Sequence, residues 1–312
     1  MKRQRGVALI TAILIMALTT TLVFTLEWDN SLDLRRTYVS LYREEAIQAA
    51  IGAETWVKGI LLDDLSNSTN DHLDEIWATE IPGLPLESDS IQGQIFGKIE
   101  DLQGRFNINN LIDANGEVDP VSLTQFTRLL NALGIDPRFA GITADWLDSN
   151  DVEGIPDGAE DPLYTGMTPP YRAANRVITT TSELAALDGM DKATLDTLLP
   201  HIYAVPGRQP INANTATGPV LQSLGDNISV SDVESLFAER ENGGFANVQT
   251  SFATIIDPDL QQQSGGAVIV ETSEYFQLKV IVQIDTVRIT YYSVMYRGPG
   301  NVTPILRSLG TT

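Results

Sequence analysis

The sequence predicts an α+β fold in which one long N-terminal helix packs on an antiparallel sheet, with a large, mostly α-helical domain inserted between strands. Residues 7–62 keep a helical pattern without a Pro. Two blocks of alternating apolar residues, 91–108 and 276–296, read as strands of one sheet although they lie far apart in the chain. Between them, from about Leu111 to Gly265, short helical patterns are punctuated by Gly and Pro.

Composition narrows the function classes. The chain has 312 residues, 43% hydrophobic and 20% charged, enough for two or three modest domains. Its 20 basic and 41 acidic residues give a net charge of −21, a sign that repels nucleic-acid phosphates and anionic lipid heads. With no Cys, disulfides, thiolate chemistry and Cys-bound zinc are excluded. His72 and His201 are the only imidazoles, and neither sits in a catalytic motif.

Met1 to Gly6 (MKRQRG) carries three basic residues, and the 20 residues from Val7 to Leu26 carry no charge. As a helix that run spans roughly 30 Å, the thickness of a hydrocarbon core. Lys2, Arg3 and Arg5 then stay on the cytoplasmic side. The apolar run passes straight into charged, helix-compatible sequence, so it reads as a retained anchor and not as a cleaved signal. A short basic leader ending in Gly before such a segment resembles the type IV prepilin class. The resemblance implies cleavage by a prepilin peptidase between Gly6 and Val7 and methylation of the new amine on Val7; the residues alone leave an unprocessed anchor open. The class normally has Glu at the fifth mature position, where this chain has Thr11. A terminal amine left without that carboxylate at membrane depth costs about 2.5–3.5 kcal/mol. Such a subunit is a poor follower in a growing filament but can be first.

From Glu27 to about Leu62, Val39, Tyr42, Ala46, Ala49, Ala53, Val57 and Ile60 recur at helical spacing and define one buried stripe. Asp63 to Asp89 reads as loops with one short helix near Asp71 to Thr79. Ile91 to Ile108, alternating on either side of a D-L-Q-G turn, predicts a β-hairpin, and a second hairpin turns at Asp285-Thr286. In the inserted region the candidate helices are Val121–Leu133, Phe139–Leu147, Ser182–Leu187, Lys192–Leu199 and Ser231–Arg240. Ser182 and Ser231 are their expected N-caps, Ser231 with Glu234 as a capping box.

GVALITAILI, DLQGRFNINNL, ADWLDSND followed by DGAEDPLY, YRAANR, SELAALDGM and PINANTA stand in this order along nearly the whole chain. Together they resemble the K-type minor pseudopilins of type II secretion. The resemblance implies a pilin-like fold with a helical insertion and a place at the tip of a periplasmic pseudopilus. The partners implied are the I-type and J-type minor pseudopilins, other pseudopilins and the inner-membrane assembly platform, with secreted proteins and the outer-membrane secretin as further contacts. Thr11 agrees with this family, which commonly lacks the Glu. The expected organisation is a leader at 1–6, a membrane helix at 7–26, the helix continuation and first strands at 27–110, the inserted domain at 111–265 and closing strands at 266–312.

Between Asp148 and Asp161 six carboxylates fall in fourteen positions with no basic residue. On residue type alone this is either a solvated surface or an oxygen-donor loop suited to calcium. In the resembled family the inserted domain can bind calcium, which selects Asp148, Asp151, Asp157, Glu160 and Asp161. SELAALDGMDKATLDTL and INANTATGPVLQSLGDNISVSDVESLFAERENGGF also resemble helix-hairpin-helix units, the source of a rival DNA-binding or DNA-uptake reading. From Asn110 to Gly265 the chain has 7 basic and 22 acidic residues, a net −15, opposite to a phosphate-tracking surface. Asp145 and Asp148 share a helix face as a carboxylate pair, but spacing alone defines no substrate site, and the expectation is no enzyme. Trp28, Trp56, Trp77 and Trp146 read as packing or interface residues.

Overall fold

The structure is a computed structural model that describes residues 7–88, 91–154, 156–241, 243–262 and 268–310. The leader Met1–Gly6, with the cleavage residue Gly6, and the expected domain boundary at Gly265 lie outside these residues.

Helix α1 runs unbroken from Val7 to Asn67, 61 residues, or roughly 90 Å at 1.5 Å per residue. Its apolar first part touches nothing in the chain: Leu9, Ile13, Leu18 and Phe24 are all exposed. Hydroxyls there turn back on the helix, Thr11 Oγ1 donating to the Ala8 carbonyl at 3.0 Å and Thr20 Oγ1 to Met16 at 2.7 Å. That leaves them satisfied without water. The second part packs on the sheet through Ala46, Ala50, Val57 and Leu61, all fully buried. The stripe starts one turn later than its sequence pattern: Val39 remains 49% exposed, and Tyr42 is the first residue to pack on this core. The Asp285-Thr286 turn, at this end of the sheet, shares a groove with Tyr38 and Tyr42.

After a 3₁₀ turn at Ile76–Ala78 come β1 (Ile81–Ser88) and β2 (Ile91–Asp101). The remaining sheet strands are β7 (Tyr275–Ile284), β8 (Val287–Gly298) and β9 (Asn301–Leu309); the order is β1-β2-β7-β8-β9, antiparallel throughout. The two distant β blocks therefore meet, with Ile99 opposite Leu278 and Asp101 opposite Phe276. One face, Phe276, Leu278, Val280, Val282 and Ile284, is buried under α1. Glu54 is buried in the same interface. Burial works against its ionisation, but Arg307, Tyr291, Ser293 and Lys58 outweigh this and hold its carboxyl down at about 2.

Between Asp101 and Tyr275 the chain leaves this sheet. It builds a lobe from β3 (Phe106–Asn107), α2 (Pro120–Ala132), α3 (Arg138–Leu147), α4 (Asp161–Tyr164), α5 (Lys192–Leu198), β4 (Ile202–Tyr203), β5 (Ile211–Asn212), α6 (Gly218–Gln222), α7 (Val230–Arg240), α8 (Val248–Ser251), α9 (Pro258–Gln261) and β6 (Ile269–Val270). Its core is centred on Phe106 stacked on Phe126 at 5.4 Å and includes Leu129, Leu130, Leu147, Leu221 and Phe252.

Several expectations need correction. The hairpin read at Ile91 to Ile108 does not form: β2 pairs with β1, and β3 pairs in parallel with β4. Phe106, Ile108 and Leu111 are all fully buried, in the lobe and not in the sheet. The D-L-Q-G turn thus carries the chain out of the sheet, earlier than the expected start of the insertion at Leu111. Strand β1, read as loop, holds Pro82, Gly83 and Pro85, which an edge strand tolerates. Strand β9, unassigned from sequence, is the other edge and contains Pro304. The segment 182–187 is a 3₁₀ turn over Thr181–Ala186 capped by Thr180, not a helix capped by Ser182. The capping box at α7 is Ser229 with Asp232, because Ser229 Oγ accepts from the Asp232 N–H while Asp232 Oδ2 accepts from the Ser229 N–H. Of the tryptophans, Trp28 and Trp56 stay exposed on α1, Trp77 packs edge-on to Phe276, and Trp146 packs edge-on to Tyr164.

Candidate functional site

The acidic loop springs from the C-terminus of α3, whose last residues fix Asp145 and Asp148 on one face. Asp145 is buried, and its Oδ2 accepts the Gly154 and Ala159 N–H groups, each at 2.9 Å. A Cβ on Gly154 or Gly158 would collide with the Asp145 carboxylate, so the loop can fold over it only with glycine there. Asp148 is also buried; Oδ2 accepts from Asn150 Nδ2 at 2.9 Å, and Oδ1 has no partner. Glu160, 1% exposed, has no hydrogen-bond partner on either oxygen.

Asn175 completes the group. Held in the left-handed region at φ 47°, it donates through Nδ2 to Asp151 Oδ1 (2.7 Å) and to the Asn150 carbonyl (3.1 Å), leaving Oδ1 buried without a donor. Its backbone N–H is fixed to the Trp146 carbonyl. Burial is the main force on the acids: with Asp145 and Glu117 nearby it pushes Asp148 up to about 6, and with Asp145, Asp148 and Asp151 nearby it pushes Glu160 up to about 7. Asp145 is raised in the same sense, again chiefly by burial.

Of the five residues selected from sequence, Asp148, Asp151 and Glu160 meet in this cluster. The other two are held differently. Asp161 accepts the Ala173 N–H and pairs with Arg172 at 3.5 Å, and Asp157 is exposed. Sequence reasoning missed Asn175 as a donor, although YRAANR was singled out, and treated Asp145 only as half of a carboxylate pair. Four buried oxygens here lack a donor, one from Asp148, two from Glu160 and one from Asn175, and oxygen is the donor type that a hard cation takes.

A second polar centre fastens the lobe to the sheet. Buried Asp101 accepts from Asn212 Nδ2, Ser273 Oγ and Thr215 Oγ1, and Asn212 also donates to the Asp71 carbonyl. Gln103 Oε1 receives the Glu274 and Tyr275 N–H groups as the chain re-enters the sheet. Asn107, Asn109 and Asn110 bind carbonyls at Ile178, Val205, Gly207 and Gln209. The DLQGRFNINNL and PINANTA segments thus form the joint. A Cβ on Gly104 would stand 2.6 Å from the Thr215 carbonyl oxygen. Gly104→Ala is therefore expected to cost about 1–3 kcal/mol, read from the urea midpoint; an unchanged midpoint would show that the joint yields freely.

Family models described as type II secretion system (T2SS), protein K, match residues 104–207 and 211–269. A type II secretion system protein K of Pseudomonas aeruginosa is 33% identical over 98% of this chain and 93% of its own length. The chain belongs to the type II secretion system protein K family, the K-type minor pseudopilins. Protein K of Pectobacterium carotovorum subsp. carotovorum is 30% identical over 99% of this chain and 97% of its own. Among solved structures, the crystal structure of the GspK-GspI-GspJ complex from the type 2 secretion system of enterotoxigenic Escherichia coli aligns with a TM-score of 0.78 at 25% identity, covering 89% of this chain and 100% of that one. Protein K is a structural component of the secretion machinery. The helix-hairpin-helix likeness serves packing here: Asp191 caps α5, and Asp226 and Asp257 clasp Arg128 of α2.

Proposed function

We propose that this chain caps the tip of the type II secretion pseudopilus and initiates its assembly, working by packing and not by catalysis. The observation that carries the reading is where the lobe leaves the pilin-like body. Asp285 and Thr286 mark the end of the sheet beside Tyr42, whereas Asp101 and Ser273 mark the other end, beside Asp64 and Asp71 at the C-terminus of α1. Along the helix, Asp64 stands roughly 55 Å beyond Leu26. The lobe is therefore carried on the end farthest from the membrane segment, where its bulk would block a subunit stacked above. Thr11 in place of Glu suits a first subunit.

In this reading prepilin peptidase cuts between Gly6 and Val7, Val7 is methylated, and Val7 to Leu26 anchors the chain in the inner membrane with the folded mass in the periplasm. I-type and J-type minor pseudopilins, whose partnership the E. coli complex supports, pack in this reading along the exposed part of α1, and the inner-membrane platform receives the assembled tip. The acidic lobe faces secreted proteins or the outer-membrane secretin. Asp148, Glu160 and Asn175, with Asp151 and Asp145 beside them, hold calcium, which supplies the positive charge that the cluster lacks.

Two measurements test the placement. The N-terminal mass from cells with prepilin peptidase should correspond to methylated Val7, and from cells without it to the full leader; the same mass in both strains would rule out processing. Because the chain has no Cys, one Cys introduced at exposed Thr303 takes a gold label. Sheared pseudopili should show label at one end only, and label along the shaft would overturn the tip position.

A further inference from the structure

The structure points to a proton-sensitive device at the joint that the assembly role leaves unused. The segment after α1 is a strap between helix and lobe: the Asp71 N–H donates to the Glu271 carbonyl, Asn70 Nδ2 to the Gly243 carbonyl, and Asn212 to the Asp71 carbonyl. Under the strap, carboxylate oxygens of Asp64, Asp71 and Glu75 all lie within 4.8 Å of one another. One guanidinium faces them. Arg297, 4% exposed, places Nη1 2.7 Å from Asp64 and Nη2 against both oxygens of Asp71, and donates Nε and Nη2 to the Ser273 carbonyl.

We propose that Asp64, Asp71 and Glu75 form a shared-proton clasp, which binds one proton beside Arg297 and grips the lobe to the anchor helix more firmly when that proton is present. Three ionised carboxylates against one guanidinium leave an excess of two negative charges out of water, and one proton removes half of it. Neutral donors reach the group, Trp77 Nε1 and the His72 N–H on Glu75 and the Ser273 N–H on Asp71, but among the described residues no second fixed positive charge faces it. From the strap, His72 Nε2 stands 4.0 Å from Glu75 Oε1 and its Nδ1 3.9 Å from exposed Asp74. From β2, Asp101 adds negative charge, and Glu271 and Glu274, before β7, meet the joint through their backbones. Burial, then Glu75 and Asp71, push Asp64 up to about 7 against the pull of Arg297.

The sign follows from linkage. A carboxyl whose folded value is raised makes the folded chain the stronger proton binder between the ordinary carboxylate range and about 7. Stability therefore falls as pH rises through that window. Asp64→Asn keeps an acceptor for Arg297 and carries no charge to lose. In the full chain in detergent, urea unfolding followed by Trp fluorescence from pH 4.5 to 8.5 should show variant and wild type converging at the acid end. Toward neutrality the ratio of their folding constants should widen in favour of the variant, by up to about tenfold per pH unit. Parallel curves, or a less stable variant at pH 8, would overturn the clasp. His72→Gln should leave the wild-type slope in place; loss of the slope there would move the proton to the imidazole and also overturn it. If Asp64→Asn does not fold, Glu75→Gln carries the same expectation and the same two refutations.

Discussion

Arg297→Met is expected to lower the unfolding free energy by about 3–5 kcal/mol, the usual cost of removing one partner of a buried ion pair. The side chain does three jobs at one point. It pairs with Asp64 and Asp71, caps the Ser273 carbonyl, and stacks its guanidinium over Phe276 with Cζ 4.6 Å from the ring centroid. Met fills similar volume and keeps the contact with Phe276, so the loss isolates charge and hydrogen bonding from packing. Most of the penalty should come from stranded carboxylates and not from lost attraction, and a second change then discriminates: Arg297→Met with Asp71→Asn should recover a substantial part of the loss. Urea denaturation of the full chain in detergent reads both. A single variant within about 1 kcal/mol of wild type, or a double variant no better than the single, would show that water reaches the joint and screens it.

The parts of the fold legible in the sequence were those governed by one strong period. Val7 to Leu26 has no charge, and the Ala46-to-Ile60 stripe repeats at helical spacing, so α1 could be read as a unit. The alternation from Phe276 to Ile284 was read because one sheet face is buried under α1. Illegible parts were those where tertiary contacts override local pattern. FNINNL looks like alternation, yet Phe106, Asn107, Ile108, Asn109 and Leu111 are all buried, the apolar ones in the lobe core and the asparagines on distant carbonyls. Pro82 and Pro85 argue against a central strand but say nothing against the sheet edge where they lie. At the acidic loop, composition gave the neighbourhood but not the donors. Six acids in fourteen positions do not say which turn inward, and Asn175 arrives from beyond α4 only because the chain turns back against Trp146.

Calcium is expected to raise the melting temperature, and its removal by chelator to lower it. At calcium one hundred times its dissociation constant, an ion bound only by the folded chain adds about 2.7 kcal/mol. Without the ion, Glu160 and Asp148 have folded values raised to about 7 and about 6. Their contribution therefore favours the folded state at low pH and is lost as pH rises through those values. With calcium the dependence reverses, because the ion needs the deprotonated carboxylates that the empty fold disfavours. The shift caused by calcium should therefore be small at pH 5 and grow toward pH 8. Glu160→Gln should abolish it while making the calcium-free protein more stable at pH 8, since the change removes a buried carboxylate with no donor. Asp157→Asn, on an exposed carboxylate outside the cluster, should leave the calcium response intact. Differential scanning calorimetry at two pH values separates these outcomes. A chelator effect equal at pH 5 and pH 8, or a full calcium response in Glu160→Gln, would mean that the oxygens of Asp148, Glu160 and Asn175 hold something other than a divalent ion.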